Sequence, residues 1–162
     1  MTNIYLRLAN KTDLQILAEV YALSYNSADI GEHWTAVSAM KLIEYLHTDQ
    51  PDLFYVAIVD EQTVGGIVAT VKPWEDGNHL VDGELFLHPN YQKLGIGTKL
   101  IQKLFTTAKE KYQVVAWDTF THIIHKHPLD WYKNIGFEEV KQWTMITGNV
   151  DKVLTTINTM KK

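Results

Sequence analysis

The chain has 162 residues, of which 46% are hydrophobic and 21% are charged, and its formal net charge is −4. This composition is typical of a soluble globular protein, and the length predicts a single domain over residues 1–162. The Lys and Arg residues form no cluster dense enough to predict a nucleic-acid partner, and no charge-free apolar run reaches the ~18 residues of a membrane span. The chain has no cysteine, which fits a reducing compartment, so we expect a cytoplasmic location.

Hydrophobic periodicity divides the first half of the chain into strands and helices. The pattern predicts a strand at residues 4–8, helices at 12–25 and 35–47, and strands at 54–59, 64–71 and 82–88. Residues 72–78 are interpreted as a longer loop between the last two strands. The three later strands therefore form an antiparallel series.

A glycine turn follows the strand at 82–88 and precedes a long amphipathic helix. Alternation places Leu85 and Leu87 on one face of that strand and Glu84 on the other. In the turn, Gly95 and Gly97 let a ligand approach backbone N–H groups at the positive end of the helix, which favours an anionic phosphate. Glycines at a strand-to-helix turn often do no more than form the turn. Phosphate binding and turn formation therefore both remain possible interpretations at this point.

The second half of the chain predicts one parallel strand and a short helix before two final strands. Residues 114–117 form the strand, and residues 129–135 form the helix, which Gly136 ends. The final strands are expected at 137–146 and 150–157. Their alternating edge, with Trp143 and Met145, predicts pairing with a second copy in a homodimer.

Two motifs about 40 residues apart carry a resemblance to a known family. Gln92-x-x-Gly95-x-Gly97 looks like a Q/R-x-x-G-x-G/A motif, and residues 131–137 look like a second signature, an aromatic-Tyr pair ahead of Gly-Phe. With the order of elements over the whole chain, they resemble the GNAT superfamily of acyl-CoA-dependent N-acyltransferases. The resemblance implies a mixed α/β fold with a seven-stranded, mostly antiparallel sheet and four helices, splayed between strands 4 and 5.

The resemblance also implies acetyl-CoA as co-substrate, with no metal. Its pyrophosphate is expected on the N–H groups of the glycine turn, and its pantetheine is expected along the edge of the fourth strand. His125 stands where many family members have an Asn that bonds the pantetheine, which puts that contact in doubt. The residues expected at this site are Leu85, Phe86, Leu87, Gln92, Lys93, Leu94, Gly95, Ile96, Gly97, Thr98 and His125.

Acyl transfer to an amine needs a base, because an ammonium of pKa about 10 must first lose a proton. Glu84 is the candidate base, acting directly or through a water molecule. The resemblance implies that Tyr132 is the general acid that protonates the departing thiolate. The alternatives are that Glu84 pairs with a charge on a neighbouring strand and that Tyr132 only packs against a helix.

Acidic and aromatic residues in two loops predict a cationic small amine as acceptor. These residues are Asp29, Glu32, Trp34, Trp74, Glu75 and Asp76. Acetylation of a protein or peptide N-terminus is a second interpretation, and a non-catalytic module that binds acyl-CoA is a third. The histidines at 122, 125 and 127 fit no standard zinc spacing, so no metal site is expected.

Overall fold

The computed structural model describes residues 3–160, which contain five β-strands and five α-helices. The strands are β1 (Ile4–Leu8), β2 (Tyr55–Val59), β3 (Gln62–Trp74), β4 (Gly77–Leu87) and β5 (Val114–Trp117), and the helices are α1 (Leu14–Ser27), α2 (Ala36–Asp49), α3 (Ile96–Tyr112), α4 (Leu129–Asn134) and α5 (Val150–Met160). The chain divides into two compact units, one ending at Ile124 and one beginning at His125. Each is described by itself.

The first unit contains one mixed sheet whose strands follow chain order from β1 to β5. The pairs from β1 to β4 are antiparallel, and β5 lies parallel to β4. The expected mixed α/β fold is therefore confirmed. The expected seven strands and four helices are wrong in number, because residues 3–160 contain five of each.

The error lies in the two final strands. Residues 137–149 form no regular secondary structure, and residues 150–160 form α5. The Asn149 side chain accepts a hydrogen bond from the Lys152 backbone N–H at 3.0 Å and so caps the helix. Val150, Val153 and Ile157 recur at helical spacing, so the period was misassigned. The described residues offer no strand edge at Trp143, and the homodimer stays a prediction without that support.

The segment expected as a loop at residues 72–78 is mostly strand. Lys72 pairs with His79 and Trp74 pairs with Gly77, so β3 and β4 form one long hairpin that turns at Glu75 and Asp76. The strand therefore continues through Pro73 to Trp74, because the ladder with β4 extends to Gly77.

Helices cover both faces of the sheet. A core cluster joins apolar residues of α1 and α2 to the sheet, including Leu17, Tyr21, Ile43, Val68 and Phe86. On the other face, α3 packs its buried residues against β2 and β3. Burial of these apolar faces supplies most of the stability of such an arrangement.

A β-bulge interrupts β4 in its centre. Val68 pairs with Glu84 and Thr70 pairs with Val81, so β4 has one more residue here than β3. Asp82 takes a positive φ of 49° within the bulge. The bulge thereby changes the direction of β4 between Val81 and Glu84.

The ladder between β4 and β5 is short. It runs from Asn78 to Leu80 on β4, and the Asp118 backbone N–H donates to the Leu80 carbonyl at 2.9 Å where it ends. Because β4 continues to Leu87, its edge from Asp82 onward has no β5 partner among the described residues. This is the separation expected between strands 4 and 5.

A histidine with two carboxylates lies at this short ladder. His79 is 6% exposed, its Nδ1 is 2.7 Å from an Asp118 oxygen and its Nε2 is 2.8 Å from an Asp76 oxygen. The hydrogen bond to Asp118 raises the pKa of His79, and Asp76 adds to this effect against the opposing effect of burial. The imidazole therefore joins the hairpin tip to the end of β5.

Across residues 3–160, no helix combines the length and the apolar character that crossing a bilayer requires.

We predict that His79→Gln lowers the free energy of unfolding by about 1 kcal/mol at pH 5.5 and by less at pH 9. A raised folded-state pKa stabilises the protein fully below the unfolded value of about 6.5, and this contribution is lost as the pH rises through the folded-state value. Urea denaturation at both pH values measures the difference. The exposed His33, changed to Gln, is the control, and equal losses for His79→Gln at both pH values would contradict the prediction.

Candidate active site

Glu84 lies directly after the bulge of β4, with its carboxylate turned towards α1. The Tyr25 hydroxyl donates a hydrogen bond to Glu84 Oε2 at 2.5 Å, and the Tyr21 ring lies 4.5 Å from the Tyr25 ring. The two tyrosines are one helical turn apart, so their side chains share one face of α1. The sequence assigned both to the apolar face of the helix and missed their contact with Glu84. Two phenols one turn apart on a face of Leu and Ala were the available signal.

The surroundings of Glu84 shift its ionisation. Burial raises the pKa of Glu84, and the nearby charges of Glu32 and Asp82 act in the same direction. The hydroxyls of Tyr25 and Tyr21 bond the charged form and oppose the rise. Burial beside Glu84 also raises the pKa of Tyr21, so this hydroxyl stays protonated and remains a donor. The result is a carboxylate with increased basicity.

Aromatic rings continue from Glu84 to the segment between α1 and α2. The Tyr21 ring lies 5.1 Å from Phe86 and 5.0 Å from Trp34, both with edge-to-face geometry. Trp34 Nε1 donates to Glu32 Oε2 at 2.5 Å. The structure thus brings two of the three expected acceptor residues of this segment, Glu32 and Trp34, close to Glu84.

An open depression of about 290 Å³ lies beside these residues, lined by Glu32, His33, Trp34 and Ser38. Asn26 fixes the segment from the end of α1, because its amide accepts from the Trp34 N–H at 2.7 Å and donates to the Trp34 carbonyl at 2.9 Å. The depression therefore has a carboxylate and an indole in defined positions. Asp29 lies in the same connection, with a positive φ of 50°.

The second group of expected acceptor residues is not brought to Glu84. Trp74, Glu75 and Asp76 form the tip of the β3–β4 hairpin, and Asp76 is bound to His79. Six residues of β4 lie between Gly77 and Glu84, which places the two roughly 20 Å apart at the rise of an extended strand. Trp74 instead stacks on His79 at 5.9 Å.

The glycine turn is exposed and opens the N-terminus of α3. Gly95 is the N-cap with a positive φ of 79°, and a Cβ there would meet nothing within 4 Å. The first helical hydrogen bond is donated by Lys99 to the Gly95 carbonyl at 3.2 Å. The N–H groups of Ile96, Gly97 and Thr98 precede that bond and point out of the helix end. Lys93 and Leu94 are exposed beside them.

The edge of β4 next to this turn exposes backbone groups. The His88 N–H donates to Val64 of β3 at 2.8 Å, so the alternate residues Leu85 and Leu87 direct their N–H and carbonyl groups to the opposite edge. Gln92 Nε2 donates to the Leu87 carbonyl at 3.1 Å and ties the turn to the strand end. Phe86, between Leu85 and Leu87 in the chain, has its ring buried against α1.

The second unit contains the other sequence motif. Tyr132 lies on α4, its ring 4.9 Å from Trp131 and 5.0 Å from Phe137, and its carbonyl accepts from the Phe137 N–H at 3.0 Å. Gly136 follows the helix with a φ of 104°, as expected for its end. His125 is exposed at the start of this unit.

Among the described residues, no group of three or more His, Cys, Asp or Glu side chains is arranged to hold a metal ion.

The chain matches the model of one protein family, described as the acetyltransferase (GNAT) family, over residues 15–142. An uncharacterised N-acetyltransferase of Methanocaldococcus jannaschii is 29% identical over 145 residues, which cover 85% of this chain and 63% of the relative. An N-alpha-acetyltransferase of Sulfurisphaera tokodaii is 30% identical over 99 residues, which cover 54% of this chain and 58% of the relative. The matched parts thus span less than two thirds of these relatives.

Among solved structures, an aminoglycoside N-acetyltransferase in complex with CoA superposes with a TM-score of 0.68. It is 17% identical, and the superposition covers 92% of this chain and 97% of that chain. At this identity the likeness concerns the fold, which it shares with the chain over nearly the full length of both.

We predict that Tyr25→Phe raises the pKa of Glu84. The hydroxyl bonds the charged form of the carboxylate, so its removal favours the protonated form, whereas the ring and its packing are kept. An NMR titration of the Glu84 side-chain carboxyl carbon measures the shift. Tyr45→Phe, which changes an exposed tyrosine of α2, is the control and leaves the titration unchanged. An unchanged titration in Tyr25→Phe would contradict the assignment.

Proposed function

The chain belongs to the acetyltransferase (GNAT) family, and from this premise we propose that it transfers an acetyl group from acetyl-CoA to a primary amine of a small molecule. The observation that carries the proposal is Glu84, a carboxylate of raised pKa that lies on β4 beside the open edge of that strand. We propose that residues 1–162 act as one N-acetyltransferase domain in the cytoplasm.

The residues of the glycine turn fit the phosphates of coenzyme A. The first-turn N–H groups of α3 point outward, and the space above Gly95 is free of atoms that a Cβ would meet. A helix N-terminus with these features favours an anion. We propose that Leu94 to Thr98 hold the pyrophosphate, and that Lys93 and Gln92 hold the turn in place.

The open edge of β4 fits the pantetheine. Leu85 and Leu87 direct backbone groups to this edge, and an extended amide chain can pair with them as an added strand. The N–H groups of Leu85 and Leu87 are the proposed donors to the pantetheine amides. His125 is the proposed replacement for the Asn contact of other family members.

Bound acetyl-CoA supplies a thioester carbonyl, which the amine attacks so that an N–C bond forms and the C–S bond breaks. Glu84 takes the proton of the attacking amine, directly or through a water molecule, and its raised pKa suits a base that works near neutral pH. Tyr25 orients the carboxylate. Tyr132 supplies the proton that the departing thiolate needs.

The acceptor side is supported by the depression at Glu32 and Trp34. A carboxylate next to an indole face attracts an ammonium group, and Glu84 adds a further negative charge. We therefore propose a cationic amine, such as a polyamine, an amino acid or an aminoglycoside. Trp74 is a weaker candidate, because it lies at the far tip of the hairpin.

A peptide N-terminus is the second candidate acceptor, favoured by the match to an N-alpha-acetyltransferase. The openness of the depression at Trp34 also suits a chain that continues beyond the reacting amine. Thiol release with short peptides, compared with polyamines and aminoglycosides, separates the two. Tight CoA binding without thiol release for any amine would instead favour a non-catalytic acyl-CoA-binding module.

We predict that Glu84→Gln lowers kcat by about 10²- to 10⁴-fold, because the amide cannot accept the amine proton. Thiol release from acetyl-CoA, followed with a panel of amines, measures the rate. In the unchanged protein, kcat/KM rises with pH as Glu84 loses its proton, and this limb disappears in the variant. Glu44→Gln, an exposed change on α2, serves as the control. Wild-type turnover in Glu84→Gln would show that Glu84 is not the base.

We predict that Tyr132→Phe lowers kcat by about 10- to 100-fold and leaves the KM for acetyl-CoA unchanged. The substitution removes only the hydroxyl, so the ring contacts with Trp131 and Phe137 are retained. The same thiol-release assay measures both constants. Tyr5→Phe, at an exposed position of β1, is the matched control. If only the KM changes in Tyr132→Phe, Tyr132 binds rather than donates a proton.

A further inference from the structure

The indole of Trp117 occupies the place that a side chain at position 83 would take. A Cβ built on Gly83 would stand 2.4 Å from both Cζ2 and Nε1 of Trp117, far closer than non-bonded atoms approach. Only glycine leaves room for the ring at this point of β4. The ring is also buried, with 8% of Trp117 exposed.

Trp117 stands where β4 and β5 separate. It is the last residue of β5, it pairs with Leu80, and the next residue, Asp118, makes the final backbone hydrogen bond to β4. Beyond it, β4 continues with an open edge to Leu87. The indole therefore lies at the closed end of the opening between the two strands.

Residues of α3 and β4 contact the indole. Phe105 of α3 packs on it edge-to-face at 5.8 Å, and Gly83 leaves room for it on β4. The next residue, Asp118, donates its backbone N–H to the Leu80 carbonyl, and its carboxylate binds His79. The ring therefore forms a wall held by packing and by the backbone beside it.

We propose that Trp117, seated on Gly83, closes the acyl end of the site and restricts the transferred group to a short acyl chain. The inference rests on the proposed function and deepens it by naming the acyl donors. The proposed phosphate turn lies past the C-terminal end of β4, so a pantetheine along the edge runs from Leu87 towards Gly83. Leu87 and Gly83 are four residues apart, which is about 13 Å along an extended strand. The acyl group is at the opposite end of the pantetheine from the phosphates and would therefore lie next to the indole.

The position of Glu84 agrees with this direction. Glu84 follows Gly83 in the chain, and strand alternation turns its carboxylate to the α1 face while Gly83 meets Trp117 on the α3 face. The reacting carbonyl would thus lie between the base and the wall. A longer acyl chain would have to displace a buried tryptophan.

The experiment compares acetyl-CoA with hexanoyl-CoA in the unchanged protein and in Trp117→Ala. Calorimetric titration without an amine gives the affinity for each, and thiol release with an active amine gives kcat/KM. A single methylene changes discrimination by about 10- to 200-fold in a fitted apolar site, so we expect the unchanged protein to favour acetyl-CoA by at least about 100-fold. In Trp117→Ala, the affinity for hexanoyl-CoA relative to acetyl-CoA rises at least about tenfold, because the space of the indole becomes available.

The matched control is Trp143→Ala, which removes an exposed tryptophan of the second unit and leaves the acyl selectivity unchanged. Trp117→Leu replaces the alanine variant if that variant does not fold by circular dichroism. Equal use of both donors by the unchanged protein overturns the inference, and so does unchanged selectivity in a folded Trp117 variant. If the unchanged protein binds neither CoA ester, the proposed function fails and the inference fails with it, whereas binding with unaltered selectivity overturns the inference alone.

Discussion

The end of the β4–β5 ladder at Leu80 is the constraint on which the proposed site depends. A parallel strand that continued along β4 would consume the backbone groups of Leu85 and Leu87, and the edge proposed for pantetheine would not exist. Two features lie where the strands separate. The bulge at Asp82 turns β4, and the indole of Trp117 takes the space over Gly83. The proposed site therefore depends on the separation of β4 from β5 beyond Leu80.

The same bulge determines the environment of the proposed base. It turns Glu84 towards the two tyrosines of α1, where burial raises its pKa and the hydroxyl hydrogen bonds limit the rise. Burial and the tyrosines of α1 therefore act on the pKa of Glu84 in opposite directions.

The sequence predicted the first four strands, the glycine turn and α3, because their periodicity and turn residues act locally. It missed the continuation of β3 through Trp74, which depends on pairing with Gly77 of β4. It also assigned strands to residues that form α5, although Val150, Val153 and Ile157 have helical spacing. The contacts of Glu84 with Tyr25 and of Gly83 with Trp117 join residues far apart in the chain. The local pattern contains at most the two phenols on one face of α1, so the partners in both contacts are known only from the fold.

Under the proposed function, two neighbouring residues of β4 contribute to the selection of two different substrates, the acyl donor and the amine acceptor. Gly83 meets the α3 face, where Trp117 limits the acyl group, and Glu84 meets the α1 face, where Glu32 and Trp34 line the acceptor depression. Because these residues lie on opposite faces of the sheet, the acyl donor and the amine acceptor would meet different side chains, with Glu84 and the open edge of β4 between them.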